Sequence, residues 1–397
     1  MHSILRLPGL AFILALTLPA HAQTLRDALE SAWSKQPAQH AQADRLAELE
    51  GKRKAANALT PEPAALSIGQ RSDQPGGRIG RREWEIELAV PLWLAGQRHR
   101  QRSVVEAEGG SYAAAQALEK WRLAGEVREA WWRARLADAE RGLAKQRFES
   151  AAALAGDVAR RVKAGDLAKV DANRAAAAEQ TTQIAVGEAD VRAFRALQQF
   201  TALTGLSGMS LAGEQPAMRP ADIHPQRIAA QQLATLAQKR VDYAGSTRRD
   251  PPELSVGLTR ERSTFEDRFE NSVMLRLKVP FATDARNQPR LAAATALRAE
   301  ADAAQVLEAT RIEADAASAR REVEQAQITV QLSASSFDLA RDTHQLLDRA
   351  FKAGELDFPT RLRAEAERFE AERNLIRSRI EAEHAISKLN QALGLLP

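Results

Sequence analysis

A unit that occurs twice dominates this chain, once from Pro91 to Leu206 and again from Pro280 to Leu395. Pro91 and Pro280, Gly165 and Gly354, and Gly205 and Gly394 all stand 189 residues apart, so the register does not slip along the unit. Val162-Lys163-Ala164-Gly165-Asp166-Leu167 is nearly copied as Phe351-Lys352-Ala353-Gly354-Glu355-Leu356, and Ala202 to Leu206 is echoed by Gln391 to Leu395. Ahead of the unit, Pro63 to Gly69 matches Pro252 to Gly257. A repeat this long is a duplication, not one of a solenoid's many short modules. It predicts two copies of a strand pair followed by long helices, standing side by side.

Residues 1-22 read as a cleaved signal peptide. His2 and Arg6 precede an apolar run from Leu7 to Leu18, and Ala20-His21-Ala22 supplies the small, any, small pattern of a cleavage site. A membrane span would need about 20 apolar residues, and this run falls short. The chain has no cysteine, which excludes disulfides, thiol catalysis and lipid attachment through an N-terminal Cys. A formal net charge of +4, from 56 basic and 52 acidic residues, does not imply nucleic acid.

Only 5% of residues are aromatic, and alanine and both signs of charge run through almost every turn. Such a composition suits long thin helices with narrow alanine-rich seams, not a thick core. The first is expected over Leu25 to Leu59, with Thr24 as N-cap and prolines 61 and 63 as the stop. Trp84, Ile86, Leu88, Val90 and Leu92 then alternate with Glu83, Glu85 and Glu87, the pattern of a strand with one apolar and one charged face. Leu66 to Gly69 forms its hairpin partner, giving a hairpin over about 64-92. In the second copy, over about 252-281, Leu254, Val256 and Leu258 precede a polar loop near Arg260 to Glu270. Val273, Leu275, Leu277, Val279 and Phe281 follow, opposed by Arg276 and Lys278.

Long helical tracts free of proline follow each hairpin, from Ala95 to about Lys163 and from Arg290 to about Lys352, with Pro289 expected in the first turn of the second. Gly165 and Gly354 interrupt them, and Asp166 and Glu355 are expected at the starts of returning helices that end near Leu203 and Leu393. The domain plan is therefore a first repeat over 23-206 with long helices about 95-203, a linker over 207-224, and a second repeat over 225-397 with long helices about 289-393.

A strand with a continuous apolar face must bury it in protein or lipid. If lipid covers it, exposed sheet edges are forbidden and the sheet must close. Bacterial barrels begin at eight strands, so four strands per chain require further copies, and three copies supply twelve. Glu83, Glu85, Glu87, Arg276 and Lys278 then line a wet lumen, while Trp84, Ile86, Leu88, Val90, Val273, Leu275, Leu277 and Val279 meet lipid. A soluble sandwich with its charges outside remains the alternative reading of the same residues.

The doubled order of these segments resembles the TolC-like family of outer-membrane efflux proteins. The resemblance rests on the signal peptide, the helix closed by Leu59-Thr60-Pro61-Glu62-Pro63, and hairpins ending in Val90-Pro91-Leu92 and Val279-Pro280-Phe281. The two Lys-Ala-Gly-acid-Leu tips and the terminal Leu-Thr-Gly-Leu and Leu-Gly-Leu segments complete it, over residues 24 to 397. It implies a mainly α fold with a transmembrane β-barrel: a homotrimer with a twelve-stranded barrel in the outer membrane of a Gram-negative bacterium and a periplasmic helical tunnel. It also implies a periplasmic membrane-fusion adaptor and a proton-driven inner-membrane efflux pump as partners. The branch it most resembles serves heavy-metal pumps of the cobalt-zinc-cadmium type, which implies divalent cations as cargo. An exit duct for organic toxicants, and a helical periplasmic structural or adaptor protein without a pore, remain as alternatives. The tips Arg161, Gly165, Asp166, Leu167, Phe351, Gly354, Glu355 and Leu356 are then expected to dock the adaptor.

No enzyme is expected. The seven histidines form no close ligand pair, and no serine elbow, phosphate loop or zinc-protease motif occurs, so the reading assigns no catalytic residue, cofactor or metal site.

Overall fold

The computed structural model describes residues 24–77, 79–207, 213–217, 224–281 and 284–397; the signal peptide and most of the 207-224 linker lie outside them. The first helical tract is broken into α1 (Leu25–Ser34), α2 (Pro37–His40) and α3 (Gln42–Ala56), where the sequence suggested one continuous helix. Pro37 is the cause. The ring of a proline drives the preceding residue out of the helical region, and Gln36 is extended at φ −69, ψ 137. Thr24 caps α1 as expected, in a reciprocal box with Asp27.

Four strands follow the expected places: β1 (Ala65–Ser72), β2 (Arg82–Pro91), β3 (Glu253–Arg262) and β4 (Glu270–Lys278). They form one antiparallel sheet in the order β1-β2-β3-β4, so the inner strand of each hairpin joins the two copies. β3 extends through Arg262, which puts Arg260 and Arg262 in the strand instead of the polar loop, and Val279 falls just beyond β4.

Each hairpin feeds a helical pair, α4 (Gln97–Ala164) with α5 (Lys169–Thr204), and α7 (Asp284–Ala353) with α8 (Phe358–Ala392); α6 (Pro225–Ser246) precedes the second hairpin. At 1.5 Å per residue, α4 and α7 each span on the order of 100 Å. α7 begins ahead of the expected Arg290 and carries Pro289 inside it, not in its first turn. The proline cannot donate to the carbonyl of Ala285. Tertiary bonds hold this end instead: Asn287 Nδ2 donates to the Arg248 carbonyl at 3.1 Å and to Asp250 Oδ1 at 3.2 Å.

The turns between paired helices are the same in both copies. Gly165 and Gly354 take φ +88 and +81, a left-handed conformation that costs other residues energy. Asp166 N–H reaches back to the Arg161 carbonyl and Glu355 N–H to the Ala350 carbonyl, closing the orphan groups of each helix end. Asp166 and Glu355 therefore sit in the turns and do not begin the next helices. Asp357 caps α8, accepting from Thr360 N–H, whereas its counterpart Ala168 leaves α5 without a side-chain cap.

The largest apolar cluster lies around the mid-length of α4, where Leu25, Leu29, Leu123, Val127, Trp131, Trp132, Phe200 and Ile380 meet. Trp131 packs edge-on against Phe200 with centroids 5.7 Å apart, and Trp132 Nε1 donates to buried Ser387 Oγ at 2.9 Å. Beside it Arg128 is 2% exposed. It holds Glu214 through two bonds of 2.9 and 2.7 Å and donates to the Leu395 carbonyl at 3.0 Å. This fastens part of the linker and the C-terminal segment to α4.

Candidate duct surfaces

The register sorts every strand residue onto one of two faces. Leu66, Leu88, Val256 and Leu275 form one cross-strand row, with Ile68, Ile86, Leu258 and Val273 on one side of it and Val90, Leu254 and Leu277 on the other. Trp84 follows next to Arg260. Successive side chains alternate across a sheet, so Glu83, Glu85, Glu87, Arg276 and Lys278 all occupy the opposite face. The expected division into two faces is observed at every one of these strand positions. The same face also carries Glu253, Glu261 and Glu270, which the sequence reading passed over; the alternation of β3 through Glu253, Ser255, Gly257, Thr259 and Glu261 was the available signal.

On β2 exposure is reversed from that of a water-soluble strand, and on β4 both faces are open. The apolar face is open, with Leu275 72% and Trp84 45% exposed, while Glu83, Glu85 and Glu87 are half-buried. Arg276 donates to Glu87 Oε1 at 3.1 Å. These two residues are counterparts in the duplication, so the contact is a charge pair between copies across the polar face.

At the far end the two turns meet. Leu154 and Val158 of α4, Ala175 of α5, Phe351 and Phe358 form one cluster, with Leu167 and Leu356 packed on it. Phe351 is buried, held beneath the Arg161 guanidinium at 5.2 Å and against Phe358 at 6.0 Å, so it braces the tips from within. Gly165, Asp166, Gly354 and Glu355 are exposed. Just behind them Arg361 bridges Asp348 and Glu365, each at 2.9 Å, and Lys352 reaches Asp348 at 2.7 Å. Burial works against the charge of Asp348, but the bonds from Lys352 and Arg361 hold its carboxyl below the usual aspartate range.

Equivalent positions of the two copies differ sharply in burial. Leu143 of α4 is 7% exposed and its counterpart Leu332 of α7 is 66%; Ile380 of α8 is 8% exposed and its counterpart Val191 of α5 is 57%. Inside the chain α4 packs against α8, and β2 pairs with β3. Among the described residues, the corresponding surfaces of α7 and α5, and the outer edges of β4 and β1, have no such partner. Among the open apolar residues, Val170, Ile184 and Val191 of α5, and Leu297, Leu332, Leu339 and Leu346 of α7, fall at multiples of seven, the spacing of a helix-packing seam, while Phe194, Val306, Leu307 and Ile328 stand off that spacing.

Among the described residues no group of three or more His, Cys, Asp or Glu could hold a metal ion, and no helix is long and apolar enough to cross a membrane. A four-stranded sheet fed by duplicated helical hairpins is the fold of the TolC-like outer-membrane channels. The chain is similar in structure to the channel protein CusC (TM-score 0.78, 15% identity, 94% of this chain and 93% of that one). It is likewise similar to the outer-membrane protein VceC of Vibrio cholerae (0.73, 15%, 93% and 96%) and to the outer-membrane channel OprN (0.74, 20%, 93% and 89%). No protein-family model and no curated protein sequence matches it.

Proposed function

We propose that this chain is the outer-membrane exit duct of a tripartite efflux system, passive itself and driven by a partner pump. The observation that carries the reading is the sheet itself, whose apolar rows are open while Glu83, Glu85 and Glu87 on the other face are half-buried, with both edges unpaired. In water such a face exposes a large apolar patch, and in lipid unpaired edges cost several kcal/mol per group, so closure with further copies satisfies both constraints.

The duplication supports how the copies meet. If α7 and β4 of one chain engage α5 and β1 of the next as α4 and β2 engage α8 and β3 within a chain, the contact is head-to-tail and repeats into a ring. Three chains give twelve strands, enough for a lumen lined by Glu83, Glu85, Glu87, Arg276 and Lys278. The helices then form a tunnel in the periplasm, and solute enters at the tips. The lumen face carries both signs of charge, and the described residues offer no metal-holding cluster, so the chain itself favours no metal over a small organic toxicant. The cargo is chosen by the pump.

Deleting the gene and measuring intracellular retention of Co, Zn, Cd, Ni, Cu, Ag and a set of organic toxicants tests the assignment. Retention of one class should rise and return to normal with the intact gene. Unchanged retention of every compound, together with recovery of the protein in the soluble periplasmic fraction, would overturn the duct.

The exposed tips serve as the adaptor's docking surface, with Phe351 and Phe358 as the brace beneath. Leu167→Trp or Leu356→Trp should weaken crosslinking to the adaptor while the trimer stays in the membrane. Undiminished crosslinking in both variants would remove the tips from the interface.

A further inference from the structure

Beyond the apolar rows the same sheet face turns basic at its loop end. Trp84 and Arg260 are direct cross-strand partners, and Arg82 pairs with Arg262 in the next row. Like charges placed directly opposite one another repel and destabilise a strand pair. No acidic side chain answers them: among the described residues none of these three arginines forms an ion pair, and the nearby acids of the strands, Glu83, Glu261 and Glu270, lie on the other face.

Two of the arginines are nevertheless held in place. The Arg262 guanidinium stands over Phe265 at 5.3 Å and Phe269 at 5.0 Å, and its Nε donates to the Gly80 carbonyl at 3.2 Å. Arg260 lies over Phe269 at 4.8 Å. The loop between β3 and β4 that carries both rings is tied to the loop between β1 and β2, Phe265 N–H donating to the Ile79 carbonyl at 3.0 Å. The close approach leaves no room for a side chain at Gly80, where an added Cβ would lie 2.4 Å from the Phe265 ring, and Gly80 itself has φ +89. Two loops are thus folded to fix the Arg260 and Arg262 guanidinium groups, whose remaining N–H donors make no hydrogen bond among the described residues. Planar guanidinium forks match phosphate oxygens well.

We propose that Arg82, Arg260 and Arg262 form a binding site for anionic, phosphomonoester-bearing lipid headgroups at the outer surface of the membrane. This rests on the membrane-duct reading, which puts the apolar rows in hydrocarbon and the loop end, remote from the helices, at the outer leaflet. The order of chemistry along the face then matches the order of a membrane: aliphatic rows, the Trp84 ring at the boundary, and arginines at headgroup level. In a ring of three chains the site recurs three times. Each chain's like-charge pair becomes favourable once an anion sits between its members. An arginine near an anionic surface contributes roughly five-fold in affinity, so loss of all three should weaken lipid retention on the order of 100-fold.

The test uses the full-length protein reconstituted in phosphatidylcholine vesicles containing a minor fraction of lipid A, re-extracted in mild detergent and assayed for retained lipid A. Wild type should retain it, should retain far less of the dephosphorylated glycolipid, and should not lose it to millimolar inorganic phosphate. The Arg82→Gln, Arg260→Gln, Arg262→Gln triple variant should assemble and lose the lipid, and the triple Lys variant should recover part of it. If wild type inserts and conducts but holds phosphorylated and dephosphorylated lipid equally, the headgroup site is overturned while the duct stands. If wild type does not insert at all, the duct reading fails first. The comparison of the two lipids on wild type keeps the proposal falsifiable even if the Gln variant does not fold.

Discussion

Leu275→Arg should abolish or severely reduce trimer assembly, at a cost of roughly 2–4 kcal/mol for each chain inserted. Leu275 belongs to the middle of three apolar rows, beside Leu88 and Val256, and 72% of its surface is open in the single chain. An arginine there must either lose its hydration in hydrocarbon or drag water and headgroups inward, and a trimer suffers this three times. Leu88→Arg, in the same row, should behave alike. Glu85→Gln, one residue along β2 from the apolar Ile86, changes the opposite face and should assemble normally while altering conductance, because it removes a lumen charge and no lipid contact. The measurement is the fraction of protein running as a heat-modifiable trimer from isolated membranes. Equal assembly defects at Leu275 and Glu85 would rule against this orientation of the two faces.

Arg128→Met should destabilise the folded chain by about 3–5 kcal/mol, the cost of leaving a buried acid without its partner. Glu214 accepts both of its strong bonds from this guanidinium and is 12% exposed, and the Leu395 carbonyl would lose a donor as well. The linker and the C-terminal segment would come away from α4 together. Arg128→Met combined with Glu214→Leu should recover most of the loss, because removing both charges of a buried pair leaves none uncompensated. Denaturant midpoints of the purified protein measure both variants. A single-variant loss below about 1 kcal/mol, smaller than a typical buried hydrogen-bonded charge, would show that this cluster does not fasten the segments.

Periodic and local features were legible before any coordinates. A period of two in Trp84 to Val90 against Glu83 to Glu87 already divides the sheet into an apolar and a charged side, because side-chain direction in a strand depends only on parity. The two Gly-acid-Leu tips likewise required only that glycine accepts a left-handed turn. The break in the first helical tract at Pro37 is local and was open to reading in the sequence; elsewhere a neighbour distant in sequence decided. Pro289 lies inside α7 because bonds from Asn287 to the segment at Arg248 and Asp250 hold the helix beyond it. Phe351 stands beside a turn and was expected at the docking surface, yet the second hairpin presses it against Phe358 and the first hairpin's Arg161. Arg128 and Glu214 stand 86 residues apart, in segments with no shared periodicity.

The sequence by itself determined that the chain is two copies of one object, since the constant spacing of its prolines and glycines is a property of order alone. Only the tertiary structure decided that the copies are not equivalent. Leu143 and Ile380 are covered at the joint between them, whereas Leu332 and Val191 remain open at the outer edges. Two copies placed side by side in one chain share a single joint, so each leaves one matching surface without a partner. Coverage depends on what lies opposite a residue in space, and that information is carried by the fold.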